Sequence, residues 1–251
     1  MNRDLQLALQ MADAADAISK LHFRAIDLVV ETKPDFTPVT IADRAVEDEL
    51  RKMVPETDAV VGEESGVSGP SGSRRRWIID PIDGTKNFVR QIPVWATLIG
   101  LEEDGEITVG VASAPALGRR WWAARGEGAF ANAEPIHVSA VSTLDDAQVS
   151  YSSLSGWAGI GSRDRFLDLA ERCWRTRAFG DFWSHVLVAE GSCEIGLDPE
   201  VSLWDLAALQ VIVEEAGGRF TDLSGKATPA GGSAVSTNGN VHDEVLKILN
   251  G

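Results

Sequence analysis

The chain has 251 residues, of which 44% are hydrophobic and 24% are charged, a composition typical of soluble globular proteins. Asp and Glu (38) outnumber Lys and Arg (23), and the resulting formal net charge of −15 repels nucleic-acid phosphates. The sequence has no run of about 18 apolar residues, no signal-peptide pattern and only two cysteines. We therefore expect a cytoplasmic protein that binds neither nucleic acid nor a membrane.

Two helices are predicted at the N-terminal end of the chain. Apolar residues recur with helical spacing from Leu5 to Ile26, which indicates an amphipathic helix. Thr40 is followed three residues later by Asp43, a pattern typical of a capping box at a helix start. We expect this second helix to end near Met53.

Short predicted strands lead into acidic residues at two places. The apolar residues 59–61 precede Glu63, and the apolar residues 77–79 precede Asp80. The Ser- and Gly-rich segment 68–73 lies between the two runs and is interpreted as a flexible loop. Both strands are therefore expected to end just before a carboxylate.

A β meander and then alternating strands and helices are predicted for the rest of the chain. Runs with β character occupy residues 95–101, 107–112 and 121–124. Beyond about residue 140 the predicted strands are 147–151 and 193–197, and the predicted helices are 163–175, 182–190, 204–216 and 241–249. We expect an α+β half over residues 1–140 and an α/β half over residues 141–251, packed as one compact unit.

The most informative segment runs from Asp80 to Phe88 and reads Asp-Pro-Ile-Asp-Gly-Thr-Lys-Asn-Phe. Pro81 restricts the backbone before it, and a turn at Gly84 lets both carboxylates of the segment point at one spot. Two carboxylates repel each other unless a proton or a hard cation lies between them. The N–H groups from Gly84 onward are expected to face the same place, because helix starts bind anions. This combination predicts a metal-bound phosphate.

Two more acids occupy similar positions elsewhere. Glu63 follows a predicted strand, and Asp205 lies in the first turn of a predicted helix. Each has a simpler interpretation, Glu63 as a surface residue and Asp205 as a partner of the helix dipole, which is worth about 0.3–1 kcal/mol. The Asp80 loop fits a solvated loop less well, because an apolar run precedes it and Phe88 follows.

Three segments together resemble the signatures of the inositol monophosphatase-like family. They are Gly62-Glu63-Glu64-Ser65, the segment from Asp80 to Phe88, and Trp204-Asp205-Leu206-Ala207-Ala208. Their order and spacing agree over essentially the whole chain. The resemblance implies a magnesium-dependent phosphatase of the α/β (α+β) class with a layered αβαβα sandwich fold. The first half would carry the metal and phosphate loops, and the second half the substrate-specificity segments.

The resemblance also implies a set of magnesium ligands. One ion would lie between Glu63, Asp80 and the carbonyl of Ile82. A second would lie between Asp80, Asp83 and Asp205, with Asp80 shared, and a third, weaker ion would contact Glu63. Oxygen ligands suit Mg²⁺, which keeps several waters while it binds substrate phosphate. Paired metals also stabilise the attacking and leaving oxygens of a phosphoryl transfer.

Catalytic and phosphate-binding roles follow from the same resemblance. Asp43 would hydrogen-bond Thr85, and this pair would orient the attacking water, with Glu63 also counted as catalytic. The N–H groups of Gly84 and Thr85, beside Asp83, would bind the substrate phosphate. No cysteine, serine or histidine nucleophile is needed. The four histidines lack metal-ligand spacing and are expected to be structural or exposed.

Within the family, three segments are most similar to the histidinol-phosphate phosphatases of bacteria and plants. These segments are residues 93–99, 119–124 and 177–183. The resemblance implies hydrolysis of histidinol phosphate to L-histidinol and phosphate in histidine biosynthesis.

Three acids are expected to contact the leaving group. Asp198 lies where inositol-cleaving relatives carry a glutamate that binds a ring hydroxyl, Glu200 follows it, and Asp181 lies in another segment of that side. A pocket with several acids favours a cationic leaving group such as L-histidinol over neutral inositol. Phe182 and Trp183 are expected to stack on its imidazole.

Two alternatives remain open at this point. The first is the same chemistry on another ester, such as inositol 1-phosphate or another small phosphate ester. The second, from another class, is a regulatory binding protein of the transcription machinery, since at least one bacterial relative of the family acts in that way. The intact ligand set and the acidic chain argue against it. Family members are commonly dimers, so a homodimer is expected.

Overall fold

A computed structural model describes residues 2–26, 28–32 and 38–251 of the chain. Its helices are α1 Arg3–His22, α2 Ile41–Met53, α3 Thr85–Val89, α4 Leu154–Gly159, α5 Arg163–Arg172, α6 Asp181–Ala189, α7 Leu203–Glu215 and α8 His242–Asn250. Its strands are β1 Val30–Thr32, β2 Pro38–Thr40, β3 Ala59–Gly62, β4 Gly66–Ser68, β5 Arg75–Asp83, β6 Ala96–Glu103, β7 Glu106–Ala114, β8 Arg119–Ala124, β9 Gly128–Ala131, β10 Glu134–Pro135, β11 Gln148–Tyr151, β12 Arg175–Arg177, β13 Ile195–Asp198, β14 Arg219–Thr221 and β15 Ala234–Thr237.

Two sheets form the framework. The larger has eight strands in the order β10-β9-β8-β7-β6-β5-β3-β4 and is antiparallel except for the parallel pair β3–β5. The smaller has five strands in the order β12-β11-β13-β15-β14. It is parallel from β12 to β13 and antiparallel from β13 to β14. Strands β6, β7 and β8 follow one another along the chain and across the sheet, so the predicted meander is confirmed.

Helices and sheets alternate in five layers. Helices α1 and α2 cover one face of the larger sheet and share its apolar core. Helices α6 and α7 cover the opposite face and also contact the smaller sheet. Helices α5 and α8 cover the outer face of the smaller sheet. The predicted αβαβα sandwich is therefore confirmed.

Helix α7 lies in the middle layer because its sequence is apolar on every side. Residues 206–213 are all buried, and a helix without a polar face is stable only when it is covered all round. Gly100 and Gly110 lie opposite each other on β6 and β7, beneath this helix. A Cβ atom on Gly110 would lie 2.3 Å from the carbonyl oxygen of Ala208. The paired glycines therefore let α7 approach the sheet closely.

Most predicted elements are confirmed, but three boundaries are wrong. The first helix, predicted from Leu5 to Ile26, ends at His22 because Phe23 adopts an extended conformation. The helix predicted over residues 163–175 ends at Arg172, because Arg175–Arg177 pair with β11 as an edge strand instead. The strand expected at residues 77–79 continues as β5 through Asp83. The short elements that were not predicted are α4, β1, β2, β4, β9, β10, β12, β14 and β15. Across the described ranges, none of the helices has the length and hydrophobicity that a membrane span requires.

Candidate active site

A bulge at the end of β5 brings Asp80 and Asp83 to the same side of the sheet. Asp80 pairs with Leu98 and Asp83 with Ala96, so one extra residue lies on β5 between these two pairs. In a regular strand, residues three apart point to opposite faces. The extra residue of the bulge turns the second of them to the same face as the first. The Thr97 hydroxyl donates a hydrogen bond of 2.8 Å to the carbonyl of Pro81. Pro81 has no N–H to donate to a ladder, which a bulge tolerates.

Asp205 joins these two aspartates from the start of α7. Carboxylate oxygens of Asp80, Asp83 and Asp205 all lie within 4.8 Å of one another. Asp205 also accepts a hydrogen bond of 2.7 Å from the N–H of Ser202 as part of a capping box. Asp205 therefore lies in the first turn of α7, where it caps the helix, and also belongs to the carboxylate cluster.

The three carboxylates are costly to ionise together. Burial raises the pKa of Asp80 well above its usual range, and the charges of Glu63, Asp83 and Asp205 raise it further. Burial, with the charges of Asp181 and Asp205, does the same for the pKa of Asp83. Burial raises the pKa of Asp205 to about 7. Buried carboxylates that repel one another are the donor set that a hard cation such as Mg²⁺ neutralises, so these residues fit the expected metal.

Most of the residues predicted for metal and phosphate lie around one small cavity of about 150 Å³. Its lining residues are Pro38, Glu63, Asp80, Ile82, Asp83, Gly84, Thr85, Lys86, Asp181 and Asp205. The carbonyl of Ile82 accepts a hydrogen bond of 2.9 Å from the Thr85 hydroxyl. A carbonyl oxygen has two lone pairs, so this bond leaves Ile82 able to ligate a cation as well.

Glu47, which the sequence analysis did not single out, holds the turn that carries Glu63. Its carboxylate is fully buried and accepts hydrogen bonds from the N–H groups of Glu64 at 2.8 Å and Ser65 at 2.9 Å. Arg51 pairs with the same carboxylate at 2.8 Å. A Cβ atom on Gly62 would lie 2.5 Å from the Glu47 carboxylate. The glycine of the first family signature is therefore required so that Glu47 can reach the turn.

Asp43 and Thr85 are neighbours, as predicted, but their contact is long. The Thr85 hydroxyl lies 3.4 Å from Asp43 Oδ1 and is closer to the carbonyl of Ile82. Asp43 Oδ2 accepts hydrogen bonds from the N–H and the hydroxyl of Thr40, which completes the predicted capping box. Burial raises the pKa of Asp43 despite these bonds. The side chain is therefore a buried, well-anchored acceptor beside Thr85.

Gly84 allows the chain to turn from β5 into α3. Its φ is 80°, a conformation that favours glycine, and a Cβ atom there would lie 3.1 Å from the carbonyl of Val94. Helix α3 begins at the next residue, Thr85. The first N–H groups of a helix have no partner within it, so they are available to an anion at the small cavity.

A larger cavity of about 810 Å³ adjoins the first, and Asp83, Lys86, Asp181 and Asp205 line both. Asp198 and Glu200 line the larger cavity as well. Asp198 is buried, whereas Glu200 is exposed at the rim. All three acids predicted to contact the leaving group therefore lie around one space.

Asp181 is fixed between the two halves of the chain. It follows Gly180 and itself has a φ of 51°, which is uncommon for a residue with a side chain. Its carboxylate accepts a hydrogen bond of 3.2 Å from Asn87, and the next N–H, of Phe182, donates to Asp83 at 2.7 Å. Burial and the charge of Asp198 raise the pKa of Asp181 to about 6. The turn therefore joins the cavity wall to the aspartate cluster.

The structure does not support the prediction that Phe182 and Trp183 stack on the leaving group. Phe182 is fully buried and its ring packs against Trp121, which leaves no exposed face for stacking on a ligand. Trp183 packs against Phe179, with ring centroids 5.0 Å apart, and Phe179 lines the larger cavity.

His185 is a cavity residue that the sequence analysis missed. The side chain is buried at the base of the larger cavity, with Nε2 2.8 Å from Asp198 Oδ2 and Nδ1 2.7 Å from Ser236 Oγ. It lies in an apolar helix, where the sequence pattern indicates only a core residue. His242, by contrast, does not line either cavity and is buried between Thr221 and Thr237, so the structural interpretation holds for that histidine.

Comparisons with known proteins identify the family of the chain. The histidinol-phosphatase of Mycobacterium tuberculosis (strain ATCC 25618 / H37Rv) is 58% identical over 255 residues, which cover 98% of each chain. That of Streptomyces coelicolor is 55% identical over 259 residues, covering 98% of this chain and 97% of the relative. A solved Thermotoga maritima IMPase superposes with a TM-score of 0.88 at 34% identity, covering 99% of this chain and 97% of that chain. A family model for the inositol monophosphatase family matches residues 2–250, and the chain belongs to this family.

Proposed function

We propose that this chain is a magnesium-dependent phosphomonoesterase that hydrolyses histidinol phosphate to L-histidinol and phosphate, a step of histidine biosynthesis. The observation that carries the proposal is the acidic cavity beside the carboxylate cluster, since Asp83, Asp181 and Asp205 line both spaces. An ester whose phosphate lies at the cluster would therefore place its alcohol in the acidic cavity. The two relatives that are more than half identical to the chain carry the name histidinol-phosphatase.

The magnesium set in this proposal comprises two or three ions. Glu63, Asp80 and the carbonyl of Ile82 would hold one, and Asp80, Asp83 and Asp205 a second, with a third at Glu63. Bound Mg²⁺ supplies positive charge to the phosphoryl oxygens and acidifies a water molecule. The raised pKa values of the three aspartates support this set, because each carboxylate gains from a neutralising cation.

The chain's own residues would bind the phosphate and orient the water. The N–H groups of Gly84 and Thr85 would donate to phosphate oxygens. The Thr85 hydroxyl has one proton and two acceptors within reach, Ile82 and Asp43. When it donates to Asp43, its lone pairs are free to accept from the attacking water and to hold it in line with the phosphorus. Glu63, at the edge of the same cavity, would complete the water's contacts.

The acids of the larger cavity would select the alcohol. Asp181, Asp198 and Glu200 together favour a leaving group that carries positive charge. L-histidinol has an ammonium group and an imidazole, whereas inositol has neither. A substrate with a second phosphate would meet like charge in this cavity.

The location and assembly of the chain are part of the same proposal. Both cysteines are free thiols, the state favoured in the reducing cytoplasm. Arg74, Arg75 and Arg76 are each paired with acids, which leaves no free basic patch there for nucleic acid. The indole of Trp174 is 65% exposed and offers apolar area to a second copy in a homodimer.

A phosphate-release panel at fixed Mg²⁺ tests the proposal. Histidinol phosphate is expected to give a higher kcat/KM than inositol 1-phosphate, fructose 1,6-bisphosphate and 3′-phosphoadenosine 5′-phosphate. A preference for any of the other three esters would refute the substrate assignment while keeping the chemistry. Full activity in an Asp83→Asn variant would refute the chemistry as well.

Asp198→Asn separates the alcohol site from the metal site. We expect a higher KM for histidinol phosphate and an unchanged Mg²⁺ dependence, because the lost charge faces the larger cavity. Asp222→Asn, at a buried aspartate outside both cavities, is the control. Unchanged kinetics in Asp198→Asn would remove this residue from the substrate site.

A further inference from the structure

His185 is the side chain that holds Asp198 in place. It projects from α6 toward β13, of which Asp198 is the last residue. Only 1% of the histidine is exposed. Its two ring nitrogens lie 2.7 Å from Ser236 Oγ and 2.8 Å from Asp198 Oδ2. The imidazole therefore bridges β15 to the acid of the larger cavity.

The contacts of Ser236 are compatible with a ring proton on Nε2 of His185. Ser236 Oγ has one proton and two acceptors within reach, His185 Nδ1 at 2.7 Å and the carbonyl of Gly196 at 3.4 Å. When Ser236 donates its proton to Nδ1, that nitrogen is the acceptor and the ring proton lies on Nε2. Nε2 then donates to Asp198 Oδ2.

The backbone is shaped to admit this arrangement. A Cβ atom on Gly196 would lie 2.6 Å from Ser236 Oγ and 3.3 Å from His185 Nδ1. Any larger residue at position 196 would displace the serine or the imidazole. The bond from His185 engages only the Oδ2 atom of Asp198, and Asp198 lines the cavity. One oxygen is thus anchored, which fixes the direction in which the other presents its charge.

We propose that His185 is a positioning residue that orients an ionised Asp198 toward a cationic leaving group, with Ser236 setting the tautomer of the ring. This inference rests on the proposed function, because Asp198 is taken to contact the alcohol of the substrate. A neutral imidazole orients the carboxylate without cancelling its charge. A positively charged side chain in the same place would hold Asp198 equally well but would weaken its attraction for an ammonium or imidazolium group. Selection of charged over neutral alcohols thus depends on the orientation that this buried bridge gives to Asp198.

Three variants and a matched control test the role of His185. His185→Leu removes the bridge, His185→Gln retains an N–H donor for Asp198, and Ser236→Ala removes the group that sets the tautomer. Ser184→Ala is the control, since Ser184 is the neighbouring buried residue on α6 and bonds Ser150 instead of Asp198. The measurements are calorimetric binding of L-histidinol, and kcat and KM for histidinol phosphate and for the neutral ester glycerol 2-phosphate. Melting temperatures show whether each variant folds.

His185→Leu is expected to weaken L-histidinol binding and to raise the KM for histidinol phosphate by roughly ten- to a hundredfold, the loss typical of a hydrogen bond to a charged group. Its kcat/KM for glycerol 2-phosphate should change much less. His185→Gln should recover part of the binding even if His185→Leu folds poorly, and Ser236→Ala should lie between the two.

Two results would overturn the inference in different ways. If the wild type prefers histidinol phosphate, but His185→Leu loses the same factor in kcat/KM on both esters or loses none on either, the role of His185 alone is overturned. A wild-type protein that prefers a neutral ester and does not bind L-histidinol would overturn the proposed function and this inference with it.

Discussion

Asp43 and Glu47 lie one turn apart on α2, and each holds a different wall of the small cavity. Asp43 contacts the Thr85 hydroxyl, and Glu47 accepts hydrogen bonds from the backbone of Glu64 and Ser65. Both carboxylates are fully buried. Residues four apart on a helix share a face, so a single helix sets the distance between the Glu63 turn and the start of α3.

We predict that Glu47→Gln weakens Mg²⁺ binding without removing the metal ligands. The amide can accept only one of the two backbone hydrogen bonds and adds a donor that faces an N–H, so the Glu63 turn should loosen. Loss of a residue that orients a metal ligand typically costs about 10–100-fold in affinity. Calorimetric titration with Mg²⁺ measures this directly. Glu49→Gln, on the exposed side of the same helix where it pairs with Lys52, is the control, and equal affinities in the two variants would contradict the prediction.

Asp205→Asn should stabilise the metal-free protein while abolishing turnover. The pKa of Asp205 is raised from 3.8 to about 7, so the ionised form costs stability once the pH rises through this range. At pH 8 without a cation, we expect the variant to gain up to about 4 kcal/mol in unfolding free energy. Asparagine can still accept the hydrogen bond from Ser202, so the helix cap survives.

The measurement is thermal unfolding in EDTA and in Mg²⁺. The wild type should gain stability from Mg²⁺, and Asp205→Asn should lose most of that gain. Asp243→Asn also changes an acid in the first turn of a helix, but this acid is exposed and pairs with Arg219. It should lower the stability in EDTA, whereas Asp205→Asn should raise it. A less stable Asp205→Asn protein in EDTA would argue against repulsion within the cluster.

Gly110→Ala is predicted to destabilise the fold far more than Gly100→Ala. A Cβ atom at position 110 would lie 2.3 Å from a backbone oxygen of α7, whereas one at position 100 would lie 3.0 Å from the side chain of Ala207. We expect the free energy of unfolding to fall by about 3 kcal/mol or more in Gly110→Ala and by about 1 kcal/mol in Gly100→Ala. Urea denaturation of the two variants measures both values, and the two paired positions serve as each other's control. Similar losses would mean that α7 shifts freely over the sheet.

His242 should make the protein less stable in mild acid. Burial, with the charge of Arg219, lowers its pKa from 6.5 to about 4. The unfolded chain therefore takes up a proton at a higher pH than the folded one. Stability should fall as the pH drops from about 6.5 to 4, by up to about 3 kcal/mol, with no contribution from this group above pH 6.5.

The test compares the pH dependence of unfolding free energy in His242→Gln and in the wild type. The variant loses the titrating group, so its stability should decline less between pH 6.5 and 4, whatever its stability at neutral pH. His137→Gln, at an exposed histidine, should follow the wild type. Parallel curves for all three proteins would place the acid sensitivity elsewhere.

Local patterns in the sequence predicted most of the helices and strands, and the family resemblance implied the layered fold and the roles of the acidic residues. Helical spacing identified α1, α2 and α7, and the three signature segments identified Glu63, Asp83 and Asp205. The β-bulge could not be predicted in this way, because it is defined by the register against β6 and not by the residues of β5 themselves. Its consequence, the convergence of two aspartates, was predicted only through the assumed turn at Gly84.

Glu47 and His185 were missed for a common physical reason. Glu47 with Arg51 four residues later has the spacing of a surface ion pair, and its true partners lie in a turn 17 and 18 residues away. His185 lies in an apolar helix, and its partners come from two strands of the smaller sheet. Contacts of this kind depend on the assembled layers, and no local pattern encodes them.

Because of the position of α7, the aspartate cluster lies where different layers of the fold meet. Asp80 and Asp83 belong to the larger sheet, Asp205 belongs to α7, and α7 also packs against the smaller sheet. A cation among the three carboxylates would therefore act as a cross-link between these layers, in addition to the apolar packing and polar contacts, such as the Phe182 N–H to Asp83 bond, that already join them. We expect the loaded protein to unfold in a single cooperative step, and the metal-free protein, with like charges pressed together at that junction, to begin unfolding there.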